Sequence, residues 1–271
     1  MTYMPLSLTD LALSSVLLLL SGALSIALRL GLARSMAVAS VRMVLQLALV
    51  AVLLKFIFEV NAPLWTLLFA VIMFAGAVYE TVSRQTRRFP GWQTYVLGAG
   101  PQFVAGLMAT LIATAAVIGG DPWYAPRYIL PILGMMLGNT MSGVSLVLET
   151  ITDGAMRERA AIDAQLALGA SRFEALGQVM RRGVTTGLMP ILSSMAATGI
   201  VALPGMMTGQ ILAGINPVDA AKYQVMILLL VSGATALGVL GAAVGAVLLL
   251  TDDRHRLRLD RLHTTAPQAV R

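Results

Sequence analysis

Apolar runs close to the thickness of a bilayer follow one another along the chain, at residues 11–28, 36–58, 64–82, 94–118, 128–148, 188–203 and 223–250. A helix needs about 20 residues to cross the hydrocarbon core. Lipid offers no partner to backbone N–H and C=O groups, so only helices and closed barrels span it. Barrel strands are short and alternating, whereas these runs are long and unbroken. The expected fold class is therefore an all-α integral membrane protein with about seven transmembrane helices. Composition agrees, since 58% hydrophobic and 12% charged residues leave too few charges to solvate a soluble globule.

A formal net charge of +6 would suit nucleic acid, but in such a chain arginines report orientation instead. Arg29, Arg34 and Arg42 fall on one side, together with Arg84, Arg87 and Arg88 of the next loop on that side. The arginines of residues 151–187 and those of the tail, Arg254 to Arg271, fall there too, leaving only Lys55, Arg127 and Lys222 opposite. The positive-inside rule then puts that side in the cytoplasm and the N-terminus outside, in a multi-pass cell-membrane protein with no nucleic-acid partner. The first residues lack the positive charge of a cleaved signal, so the first run is expected as a retained span. Absence of cysteine excludes disulfides and thiolate chemistry.

Residues 151–187 are the one long polar interruption in the second half of the chain. Ile162, Leu166, Phe173, Leu176 and Met180 recur at the spacing of a single apolar helix face. Gly169 is a natural helix terminator, and Ser171-Arg172-Phe173-Glu174 has the form of a capping box. Helix, tight turn, helix is the expected course. Its arginines suit docking onto a soluble partner, and a solvated or surface-lying loop is the competing interpretation. The basic tail, residues 251–271, holds both histidines and is expected to lie on anionic lipid headgroups.

Within the membrane, Arg42 stands about 9 Å deep on a straight helix, one turn from Gln46. Facing lipid at the bilayer centre would cost ~2.5–3.5 kcal/mol, so Arg42 either snorkels or faces the protein interior. Gly134, Gly138 and Ser142 in one run, and Gly241 and Gly245 in another, have the small-residue spacing of close helix contacts. Pro204 and Gly205 break the chain inside an apolar region, which marks a hinge or re-entrant turn. Met206 and Met207, with Met135 and Met136, offer thioether sulfurs, although methionine is chiefly packing material. Mid-span carboxylates of a proton relay are missing, which disfavours an ion-gradient transporter, and no catalytic cluster points to an enzyme.

The run from Gly199 to Gln224, GIVALPGMMTGQILAGINPVDAAKYQ, closely resembles the signature of the FetB-like permease subunits of ABC transporters. Plant aluminium-tolerance proteins belong to the same group. Arg42 with Gln46, PILGMMLGN ending at Asn139, and LALGAS ending at Ser171 extend the resemblance over most of the chain. It implies a single permease domain over residues 1–271, working as a homodimer with separate ATP-binding subunits. Those subunits would carry ATP and Mg, and this chain no cofactor, since it lacks a G-x-x-x-x-G-K-[ST] loop. The resemblance assigns residues 151–187 the coupling role, through Asp163, Leu166, Gly169, Ala170, Ser171, Arg172 and Phe173. Relatives usually carry glutamate where Asp163 stands, and the spacing to Pro190 departs from importer permeases, so no import direction carries over. Implied cargo is iron or a related metal ion, with a nucleotide sugar or other small solute as the alternative. Arg42, Gln46, Asn139, Met206 and Met207 are candidates for the path, and Pro204 and Gly205 for its gate.

Overall fold

A computed structural model describes residues 7–114, 125–252 and 254–264 of the chain. The connection expected at Gly119-Gly120-Asp121-Pro122, the end of the fourth run, and Arg271 lie outside the described residues. The chain divides into two compact units at Val60–Asn61.

The first unit is a helical pair, α1 (Leu8–Ala27) and α2 (Ala33–Val60). Ser7 opens α1 with a capping box: its Oγ accepts the Asp10 N–H at 3.3 Å, and the Asp10 carboxylate accepts the Ser7 N–H at 2.9 Å. Between the helices the chain turns through Arg29 and Gly31, both at positive φ, and Leu32 N–H donates to the buried Ser25 Oγ at 3.1 Å.

The second unit contains α3 (Pro63–Ser83), α4 (Trp92–Leu111), α5 (Pro126–Arg157) and the short α6 (Arg159–Ala167) and α7 (Arg172–Ala175). It continues with α8 (Gly177–Ala197), α9 (Gly205–Leu212) and α10 (Pro217–Leu250). Pro63 and Pro217 occupy first-turn positions, where a missing N–H costs nothing, and Asn216 Oδ1 caps α10 by accepting Val218 N–H at 2.9 Å. Among the described residues six helices are long and apolar enough to cross a membrane: α1, α2, α3, α4 extended to Thr114, α5 and α10. The run expected at residues 188–203 is placed differently. Its helix, α8, begins at Gly177 and ends at Ala197, and its first turns carry Arg181 and Arg182.

Helix α5 packs against α3, α4, α8 and α10. Lipid supplies no hydrophobic drive between helices, so such contacts depend on close fit. The fit is closest where α5 crosses α8. A Cβ at Gly143 would stand 3.0 Å from the Gly187 carbonyl oxygen, and one at Gly187 would stand 2.8 Å from that of Gly143. Val239 of α10 closes the same crossing, 2.8 Å from the Gly143 position. Of the stripe expected on α5, Gly134 lies against Met73 of α3, where a Cβ would stand 3.1 Å from its methyl, while Gly138 faces open space. On α10 the expectation holds, with Gly241 set against Pro101 and Gly245 against Leu97 of α4.

Beyond this crossing α5 and α8 continue into the hairpin, which follows the expected course. Gly169 sits at φ 90° after α6 and closes it with paired bonds, its own N–H to Leu166 O at 3.1 Å and Ala170 N–H to Gln165 O at 3.0 Å. Ser171 then opens α7: Ser171 Oγ accepts Glu174 N–H at 3.3 Å while Glu174 Oε2 accepts Ser171 N–H at 2.7 Å. These bonds hold the exposed Glu174 carboxyl below its usual range, so their support is present at neutral pH and fades as pH falls below that range.

Gly143→Ala should lower stability by about 1–3 kcal/mol through overpacking, whereas Gly138→Ala should change it little, as read by thermal unfolding in detergent. Gly169→Ala, at a left-handed φ, should cost the hairpin about 1–2 kcal/mol, and Ser171→Ala about 1 kcal/mol. Hydrogen exchange should then quicken at residues 165–175 with little change at the α5–α8 crossing.

Candidate functional site

The candidate site is the end of the second unit at which α3 turns into α4, α5 turns into α8, and α10 ends. Three segments meet there. The first is the loop after α3, whose Arg87–Arg88 (β1) pairs antiparallel with His263–Thr264 (β2) near the chain's end. Its Arg87 Nη1 stands 2.7 Å from Asp153 Oδ1, and Arg157 Nε stands 2.7 Å from Asp153 Oδ2, so one carboxylate is shared by two arginines from different elements. Thr86 N–H donates to Glu149 Oε2 at 2.9 Å. Isolated surface pairs contribute little, about 0–1 kcal/mol, but this set joins the loop to α5 at two levels.

The second segment is the hairpin. Ile162, Leu176 and Val179 are buried in a cluster with Val147 and Ile151 of α5 and Ala246, Val247 and Leu250 of α10; Leu166, Ala170 and Met180 pack against it. Arg182 pairs with Glu158, and Arg159 Nε stands 3.4 Å from Asp163 Oδ2. Phe173, expected on one apolar face with Ile162 and Leu176, does not share their burial. Phe173 is 44% exposed, because α7 is a single turn whose inward place goes to Ala175, and Leu168 at the tip is 89% exposed. Ala160, Ala161, Ala164 and Ala167 are exposed as well, so the outer side of α6 is apolar although it stands among charges.

The third segment is the tail, which folds back onto the protein as a strap. Asp252 organises its turn: Oδ1 accepts Arg254 N–H at 3.0 Å and Arg256 N–H at 2.8 Å, and Oδ2 meets Arg256 Nε at 3.0 Å. The Arg256 backbone N–H is the chief cause holding the Asp252 carboxyl below its usual range. Arg258 grips Asp260 through two bonds of 2.9 Å, which keeps that carboxyl low as well. Leu257, Leu259 and Leu262 pack on the cluster that holds the hairpin, and Arg172 N–H donates to His255 Nδ1 at 3.3 Å.

The path candidates are distributed differently. Arg42 and Gln46 lie exposed on α2, in the first unit, while the others belong to the second. Asn139 is exposed on α5 and bonds Met135 O at 2.9 Å. Met136 is fully buried, and Met135 and Met206 pack against its cluster of Ala, Ile and Val side chains, which Met207 does not join. Pro204 stands at the N-cap of α9, and Gly205 opens it. Among the described residues no group of three or more His, Asp or Glu could hold a metal ion.

The Asp153 pairs and the strap were missed by sequence reasoning. Alternation of Arg with Leu from Arg256 to Leu259 was the available signal, since period-two patterning marks an extended segment with one face on a core.

The chain matches the family described as Uncharacterised protein family (UPF0014) over residues 8–248. It is 33% identical over 193 residues to UPF0014 membrane protein slr1647 of Synechocystis, covering 70% of this chain and 73% of that protein. Protein ALUMINUM SENSITIVE 3 of Arabidopsis thaliana is 31% identical over 223 residues, covering 82% and 80%. Probable iron export permease protein FetB of Escherichia coli is 29% identical over 226 residues, covering 82% and 83%. No solved structure matches. A multi-pass helical membrane chain matched over nearly its whole length in this way belongs to the UPF0014 family.

Proposed function

We propose that this chain is the membrane-spanning permease subunit of an ATP-driven exporter, worked by a separate ATP-binding subunit that docks on the hairpin. The observation that carries this is the hairpin's two-sidedness. Its inner side is built into the cluster shared by α5, α8 and α10, while its outer side offers Leu168, Phe173 and an alanine face. An apolar patch rimmed by charge marks a protein contact, and one rooted in three long helices can pass a push into them. The chain carries no nucleotide-binding loop, so ATP and Mg belong to the partner.

The arginines gathered at this end orient it to the cytoplasm by the positive-inside rule. Helix α8 leads away from that end and α10 returns to it, so α8 acts as a further crossing. With the six apolar helices it brings the total to seven and leaves the N-terminus outside. Two copies with two ATP-binding subunits would form the working unit. Cargo is iron or a chemically close metal ion, by likeness to the relative named as a probable iron export permease. Asn139, Met206 and Met207, with Arg42 and Gln46, are the residues assigned to its path, and the break at Pro204–Gly205 the gate.

The test is reconstitution in vesicles with the ATP-binding cassette proteins of the same genome. ATP-dependent iron movement is expected, with Leu168→Asp and Phe173→Asp together lowering permease-stimulated hydrolysis about tenfold while basal hydrolysis stays unchanged. Iron movement that persists without ATP would instead indicate an ion-gradient carrier, and hairpin variants that leave stimulated hydrolysis at the parent's level would indicate a lipid-facing segment.

A further inference from the structure

His255 of the strap is bonded to the backbone of the hairpin. His255 Nδ1 accepts the Arg172 N–H at 3.3 Å, and the exposed Arg254 is the residue before His255 in the strap. His255 stands at a positive φ of 56°, a region that His, Asn and Asp enter more readily than other non-glycine residues. The remaining arginines of the strap turn are committed internally, Arg256 to Asp252 and Arg258 to Asp260. Arg172 and Arg254 pair with no carboxylate among the described residues. The hairpin and the strap thus each carry an arginine next to this bond, Arg172 whose N–H makes it and Arg254 one residue before His255, while Leu168 and Phe173 of the hairpin are exposed.

We infer that the docking surface for the ATP-binding subunit is composite, made of the hairpin tip and the C-terminal strap, and that the partner presents an apolar socket rimmed by carboxylates facing Arg172 and Arg254. This rests on the proposed docking role of the hairpin and names the chemistry of its partner. Leu168 and Phe173 fill the socket; the two arginines select and orient the partner, because rim charges govern encounter and its salt dependence. His255 is a positioning residue. It holds Arg254 in place through the Arg172 backbone and touches no partner atom itself. The packing of Leu257, Leu259 and Leu262 fixes the rest of the strap, so the cation is presented on a rigid support.

The experiment measures association of the purified chain with the ATP-binding cassette protein that it captures, across a salt series, for single variants that remain monodisperse in detergent. Arg254→Glu and His255→Ala should each weaken association about tenfold at low salt, with Arg254→Glu also flattening the salt dependence. Arg254→Lys keeps the charge and His255→Asn keeps an acceptor on a residue tolerant of positive φ, so both should stay within about threefold of the parent. If Leu168→Asp abolishes association while Arg254→Glu and His255→Ala bind like the parent, the strap lies outside the interface and the inference is overturned, although the hairpin's role stands. If the parent chain captures no such protein, both fall together.

Discussion

The approach of α5 to α8 at Gly143 and Gly187 is the contact on which the rest of the second unit hangs. Each glycine lies against the other's backbone, and Val239 of α10 fills the notch they leave. In lipid this kind of fit replaces the hydrophobic drive that holds soluble helices together. Because the crossing brings α5 and α8 together before they leave the apolar layer, the segment between them has short, fixed anchor points. The hairpin is accordingly held by Ile151 and Val147 from one side and Leu250 from the other.

Much of this end was legible in the residues. Gly169 and the Ser171–Glu174 pair are local signals whose physics is complete within a few residues, and the turn and cap form where they were expected. The features that escaped depend on distant partners. Phe173 fits a continuous helical phase on paper, but the turn at Gly169 and the break before Gly177 reset the phase, and Ala175 takes its place. The tail was legible only as charge, because its leucines gain meaning from a cluster built by α5, α8 and α10. The glycines of α5 were legible in part for a similar reason: Gly134 does meet α3, but the closest approach falls at Gly143, because the facing Gly187 of α8 decides where it can occur.

The methionines come together in part. Met135, Met136 and Met206 do converge, as their positions suggested, yet alkyl side chains surround them. A thioether in such surroundings adapts its shape to irregular gaps, which suits a region next to the break before α9 where the backbone changes direction.

The pairing of His263–Thr264 with Arg87–Arg88 brings together residues made at widely separated moments of synthesis. The strap follows every apolar helix in the chain, so a ribosome delivers it only after α10 has been made. Until then the loop after α3 lacks its strand partner, and Arg172 N–H lacks its imidazole. A chain that stopped short of the strap would therefore show a hairpin without its flanking partner.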